Sequence, residues 1–239
     1  MKLNDRLSKI AGQIREGETM ADIGTDHGFL PIWLSVTGKC PHVILTDISR
    51  PSLAKALNDC ELYDSGAEYD LRAGDGLTVL APGEVDCIVI AGMGGMLIAD
   101  ILEKDLSLTK SFRRFILQPR NGIGKLRARL AGMGMTIVKE QIAEEGKFLC
   151  VILTVEPGGE PSETAGMESY VKEPWKWDYP ESLIQDADIL VENYLARELI
   201  KYRLIEKQLP ADQAGDSGAR ERIRCTIQTI EQRLKEMRK

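Results

Sequence analysis

Between residues 22 and 95 the chain carries four short loops in which glycine and aspartate recur: DIGTDHG from Asp22 to Gly28, Asp47 followed by Ile48, AGDG from Ala73 to Gly76, and AGMGG from Ala91 to Gly95. Glycine lets main chain come close to a bound molecule and turn where a side chain would clash. An acid about twenty residues beyond a first glycine loop is placed to accept hydrogen bonds from ribose hydroxyls. Asp75 suits the amino group of an adenine, and Gly92 with Met93 puts compliant backbone under a reacting centre. The element common to these contacts is an adenosine.

A dinucleotide is the natural competitor, normally bound through G-x-G-x-x-G around its pyrophosphate. Here the turn reads G-T-D-H-G. The carboxylate of Asp26 would stand beside a doubly charged pyrophosphate in a partly dry pocket, where like charges repel most strongly. S-adenosylmethionine reverses the sign, because its sulfonium and ammonium are cations that Asp22, Asp26, Asp47 and Asp75 complement. The expected cofactor contacts are therefore Asp22, Gly24, Asp26, Gly28, Asp47, Ile48, Gly74, Asp75, Gly76, Gly92 and Met93. Methyl transfer from a sulfonium is one displacement, in which alignment matters more than a strong nucleophile. The chain offers two histidines and no Ser–His–Asp or Cys–His set. Asp26 and His27 are the expected catalytic residues, and His42 is expected to open a strand.

The elements that must hold these loops follow from the pattern around them. Apolar runs at Met20–Gly24, Val43–Asp47, Tyr69–Ala73, Val85–Ala91 and Arg114–Gln118 alternate with helical patterns at Phe29–Thr37, Ser52–Tyr63, Met96–Glu103 and Lys125–Ala131. That alternation predicts βα units in a mainly parallel sheet, with every loop named above at the carboxyl end of a strand, where open α/β sheets bind ligands. Met135–Ile142 and Phe148–Val155 follow without a helix between them and read as an antiparallel hairpin. The Pro-, Gly- and Glu-rich stretch from Glu156 to Gly166 predicts a linker. Beyond it, apolar residues at steps of three and four from Val191 to Leu209 and from Ile223 to Met237 predict two amphipathic helices, with a break at Pro210 to Gly218. The expected fold is a doubly wound, Rossmann-like α/β domain of the class I methyltransferase type over residues 1–155. A linker over 156–180 and a coiled-coil-like antiparallel helical hairpin over 181–239 complete it.

The net charge of −6 argues against a nucleic-acid partner only if charge is spread evenly, and it is not. Residues 109–139 hold eight cations and no carboxylate. From this window Arg113, Arg114, Arg120 and Lys125, with Arg127 and Arg129 beyond, are expected to contact RNA phosphates. Gln118 and Pro119 are expected beside the substrate. Five cysteines without a C-x-x-C pair argue against a disulfide framework and a metal site. With no basic-then-apolar leader and no apolar stretch long enough for a membrane span, a cytoplasmic protein without membrane or metal is expected, a monomer being favoured over an oligomer.

The stretches L-x-x-I-A at Leu7 to Ala11, DIGTDHG with Phe29 to Pro31, GDG at Gly74 to Gly76, IAGMGG at Ile90 to Gly95 and ILQP at Ile116 to Pro119 occur in one order across residues 1–155. In these the chain resembles the bacterial tRNA (adenine-22-N1)-methyltransferase family. The resemblance implies methylation of N1 of an adenine in tRNA, at position 22, with the C-terminal helices as an appendage. Exocyclic-amine methyltransferases usually carry [ND]-P-P-[FYW] after the fourth strand, and AGMGG in that place counts against N6 chemistry. Two other readings stay open: a methyltransferase acting on a small molecule or protein, and a non-catalytic adaptor that kept the cofactor site. The all-basic window favours the RNA enzyme.

Overall fold

The computed structural model describes residues 1–159, 166–185, 188–209 and 217–238. Seven strands form one sheet: β1 (Met20–Ile23), β2 (Val43–Asp47), β3 (Asp70–Ala73), β4 (Cys87–Met93), β5 (Arg114–Pro119), β6 (Met135–Glu145) and β7 (Phe148–Pro157). Their order is β3-β2-β1-β4-β5-β7-β6. The first five pair in parallel, and β7 runs antiparallel to both β5 and β6. The order reverses between β1 and β4, which opens a crevice at their carboxyl ends.

Every buried strand alternates its side chains between two cores. Ala21, Ile23, Ile88, Ile90, Phe115 and Leu117 face one, while Met20, Cys87, Val89 and Ile116 face the other. The second core is covered by α1 (Asp5–Gln13), α2 (Phe29–Val36) and α3 (Arg50–Tyr63). The first is covered by α4 (Gly95–Glu103), α5 (Leu106–Ser111) and α6 (Ile123–Gly132), and by helices from the C-terminal part of the chain. The sheet is thus wound on both faces, as the alternation predicts. Helix α1 and the short α5 were not among the predicted elements; α1 is capped by Asn4, whose side chain accepts from Leu7 N, and docks on β6 through Arg6 and Lys9.

The C-terminal third differs from the expectation in its linker, while the expected helical hairpin is present. Within 156–180, expected as a linker, α7 (Met167–Lys172) and α8 (Pro174–Asp178) are short helices, and Tyr179 is buried. Residues 160–165 of that stretch lie outside the described residues. Helices α9 (Ile189–Gln208) and α10 (Ser217–Glu236) pair as the periodicity predicts; residues 210–216 of the expected break also lie outside the described residues. Their inner residues Val191, Leu195, Ile230 and Leu234 join the same core as Ile142, Leu130 and Leu153.

One guanidinium ties this arrangement together. Arg127, 2% exposed, donates through Nη2 to Glu140 of β6 at 2.5 Å, and through Nη1 to the main-chain carbonyls of Trp177 and Asp178 at 2.9 and 3.0 Å. Glu140 accepts a further bond from Ser182 Oγ at 2.7 Å. The expectation that Arg127 meets phosphate is therefore corrected: it is a buried cation whose charge is matched inside the fold.

Candidate functional site

The glycine loops converge on the crevice between β1 and β4. Gly24 adopts φ +82°, which residues with a side chain rarely hold, and a Cβ there would run into the Met93 methyl. The end of β4 thus lies directly over the turn after β1. Gly92, at φ +79°, donates its N–H to Gln118 Oε1 at 3.2 Å. The main chain of Arg120 donates to Met93 O at 2.7 Å, and Gly95 N–H to Asn121 O at 3.0 Å. A Cβ on Gly95 would stand 2.8 Å from the carbonyl oxygens of Asn121 and Gly122, so the ends of β4 and β5 close on each other only because residue 95 has no side chain.

Beneath the first loop Asp22 accepts from Thr25 Oγ1 at 2.6 Å. Burial pushes its carboxyl up to about 6, against the opposing pull of that hydrogen bond and of Arg6, with Asp47 adding a smaller push. A carboxylate short of water and facing another carboxylate is a site that favours a cation. Asp47 ends β2 and accepts from Ser49 N at 2.7 Å, and its main-chain oxygen accepts from Gly74 N at 3.0 Å. That bond brings the second and third loops together. Ile48 is 74% exposed, an apolar surface beside Asp47. Gly28 (φ +68°) begins α2, and a Cβ on it would press on Leu45. Gly76 (φ +59°) lies similarly against Ile101, and Asp75 is ion-paired with Lys104 at 2.5 Å. Of the expected cofactor contacts, Gly24 meets Met93 beside Asp22, and Asp47 is tied to Gly74, whereas the charge of Asp75 is engaged by Lys104.

Asp26 and His27 turn to α3. Asp26 pairs with Lys55 at 3.1 Å, and His27 Nδ1 lies 2.8 Å from Asp59 while its ring stacks on Phe29. Both are well exposed. Their contacts brace the loop on the helix, and the side chains nearest Gly92 are instead Gln118 and Arg120. Gln118 is buried and shared: its Oε1 accepts from Gly92 N and from Arg6 Nη1 at 3.1 Å, and its amide nitrogen donates to Pro119 O at 3.0 Å. Arg120 is exposed, and its Nε lies 3.8 Å from where a Cβ on Gly92 would stand. Arg6 and Asn121 are the residues that sequence patterning did not single out. Arg6 acts on Asp22 and Gln118 from a helix that precedes the whole βα series.

The all-basic window is split by the fold. Arg114 begins β5 and Arg113 precedes it, at the opposite end of the sheet from the crevice. Arg113 is exposed and pairs with Asp86 at 3.0 Å. Arg114 is 3% exposed and held by Glu18 at 3.2 Å and Glu156 at 3.5 Å. The phosphate-binding expectation is corrected for Arg114, since its cation is spent on two carboxylates within the protein. Arg129 is likewise engaged by Asp100 and Glu103. Only Arg120 and Lys125 stand on the crevice side, with Lys125 Nζ 5.9 Å from the ring centre of Tyr170. Among the described residues, no group of three or more His, Cys, Asp or Glu is placed to hold a metal, and no helix is long and apolar enough to cross a membrane. The five cysteines are unbridged.

A methyltransferase-domain family model matches residues 3–153. The Bacillus subtilis tRNA (adenine(22)-N(1))-methyltransferase is 36% identical over 158 residues, a stretch that takes in 66% of this chain and 66% of that protein, so the alignment spans just under two thirds of the relative. The solved structure of the B. subtilis M1A22 tRNA methyltransferase TrmK superposes with a TM-score of 0.81 at 27% identity, over 98% of this chain and 99% of that one. A Streptococcus pneumoniae protein solved in complex with S-adenosyl-L-methionine superposes with a TM-score of 0.79 at 27% identity, over 96% of this chain and 98% of that one. The likeness of structure includes α9 and α10.

Proposed function

Because the chain belongs to the methyltransferase-domain family and shares its full architecture with tRNA (adenine-22-N1)-methyltransferases, we propose that it methylates N1 of an adenine in tRNA, at position 22 as in those relatives. The methyl donor is S-adenosyl-L-methionine, which when bound supplies a methyl on a cationic sulfur and leaves the positive charge on the adenine ring. The observation that carries this reading is the meeting of Gly24 and Met93 over Asp22, a carboxyl raised to about 6.

The chain's own residues do the following. Gly24 and Gly28 allow the main chain to follow the donor closely. Asp47 would accept from the ribose hydroxyls of the donor, Ile48 would cover its adenine ring, and Gly74, Asp75 and Gly76 would bound the far side. Asp22 supplies negative charge on the side of the amino-acid portion. Gly92, held by Gln118, and Met93, held through Arg120, set the floor on which the reacting atoms align. Adenine N1 carries its own lone pair, so no residue has to remove a proton from it. Carboxylates near the ring stabilise the charge that develops there. Asp26 and His27 act by shaping the first loop through α3.

The protein is proposed to act in the cytoplasm as a monomer, with Arg120 and Lys125 contributing to phosphate contact. The deciding experiment is transfer of labelled methyl from S-adenosylmethionine to unmodified tRNA, followed by nucleoside analysis of the digest. N1-methyladenosine is the expected product. Cofactor binding without any methylated nucleoside would overturn the RNA assignment and leave the small-molecule or protein substrate.

A further inference from the structure

A cavity of about 800 Å3 opens beyond the end of β5, between the β6–β7 turn and α9. That volume falls within the roughly 300–1,000 Å3 of small-molecule sites. Its lining is unusual for a surface meant to meet RNA. Phe148, Tyr170, Tyr179, Tyr194 and Tyr202 give it aromatic walls, and it holds three carboxyls, Asp178, Glu198 and Glu145, the last paired with Arg6. Phe148, the first residue of β7, is 63% exposed.

The carboxyls are set in place. Glu198 Oε2 accepts from Tyr179 Oη at 2.6 Å and from Lys201 Nζ at 2.6 Å. Asp178 ends α8 beside the start of α6, and burial pushes it up to about 6, with Glu198 adding to the push and Arg127 opposing it. The cavity is also joined to the donor crevice. Gln118, Pro119 and Arg120 line it, and the same Gln118 and Arg120 hold Gly92 and Met93.

Two cations, Arg120 and Lys201, also line it, and Lys201 is paired with Glu198, which leaves Arg120 as the lining group suited to an RNA phosphate. A base is a different matter, since every base offers a π-face for stacking. An adenine that gains a methyl on N1 becomes a cation, for which aromatic faces and carboxylates are both favourable partners. Enzymes that do chemistry on a base in a paired stem take it out of the stack into a shaped pocket. We propose that this cavity receives the target adenine, unstacked from the tRNA, with Phe148 as a stacking face and the carboxyls of Asp178 and Glu198 stabilising the ring as it becomes positive. The proposal rests on the function proposed above and assigns the substrate side of that site partly to the C-terminal helices.

Two measurements on the full-length protein test it. Phe148→Ala, at an exposed position, should lower kcat/KM for tRNA on the order of tenfold or more, the value of one base stack, leave affinity for S-adenosylmethionine unchanged, and be rescued by Phe148→Trp. Calorimetric titration with free nucleosides should show 1-methyladenosine binding more tightly than adenosine, with Glu198→Gln erasing the preference at an unchanged melting temperature. Phe148→Ala with wild-type kcat/KM, or equal binding of the two nucleosides, would overturn the proposal. The titration needs no turnover. A wild-type protein that fails to methylate tRNA yet prefers 1-methyladenosine would defeat the proposed reaction and uphold the pocket.

Discussion

The terminal methyl of Met93 occupies the space that a side chain on Gly24 would need. Residues 69 positions apart in sequence thereby share one contact over the point where the sheet reverses its order, and a side chain at 24 has no room while Met93 is in place.

Substitution at residue 24 separates two effects. Gly24→Ala meets both the methyl and a φ of +82°, so it should weaken S-adenosylmethionine binding at least tenfold and cost about 1 kcal/mol of stability or more. Adding Met93→Ala removes the steric part and leaves the backbone part. Calorimetry on both variants should therefore find the double variant partly restored, and full restoration would show that φ at this position is unimportant.

The raised carboxyl of Asp22 predicts a pH dependence of defined sign. Its folded value of about 6 lies above the ordinary 3.8, so between these values the folded protein holds the extra proton. The unliganded fold gains most from Asp22 below about pH 4 and loses that gain as pH rises through 6. Asp22→Asn should accordingly raise the melting temperature at pH 7 and change it little at pH 4. Affinity for the cationic donor should run the other way, falling as pH drops through 6 in the wild type, while Asp22→Asn should bind weakly and without that dependence.

Arg114 and Arg120 lie in the same basic run and should behave oppositely. Arg114→Ala removes the cation from the largely buried Glu18 and leaves Glu156 to Arg15, so it should destabilise the fold by about 3 kcal/mol, the low end of the cost of breaking a buried pair, without altering the salt dependence of tRNA binding. Arg120→Ala should leave the melting temperature nearly unchanged and make the salt slope shallower by about one unit. Identical salt slopes for wild type and Arg120→Ala would remove Arg120 from the phosphate contacts.

Truncation after residue 159 should not release a clean cofactor-binding domain. Tyr179, Leu183, Val191, Leu195 and Ile230 complete the core that contains Leu130, Ile142 and Leu153, and removing them exposes apolar surface at about 25 cal/mol per Å2. The expected product melts far below the full chain or aggregates. A truncated protein with full donor affinity and an unchanged melting temperature would show that the helices are an independent appendage.

The parts of the fold that were legible in sequence are those written in short-range pattern. Val43–Asp47 is a strand of the predicted extent, and β1, β3, β4 and β5 fall within two residues of their predictions, because an apolar run closed by glycine or aspartate leaves few alternatives. The glycine loops were legible for the same reason. What was not legible depends on partners far away in the chain. The charge of Arg114 is answered by residues 96 positions before it and 42 after it, so a run of eight cations reads as one surface until the fold splits it. Arg6 acts on the crevice from α1, and α7 and α8 are too short to carry a period, their place being set by contacts with α6 and Arg127.

The guanidinium of Arg127 has a further consequence. It reaches β6 with one nitrogen and the end of α8 with another, so it works as a caliper whose two arms have fixed length and angle. A lysine would carry the same charge on a single point and could gauge only one of the two spans. The spacing between the sheet's last hairpin and the tyrosine-lined wall is therefore specified by the shape of one side chain, and a chain that kept the charge but changed the shape would lose that measurement.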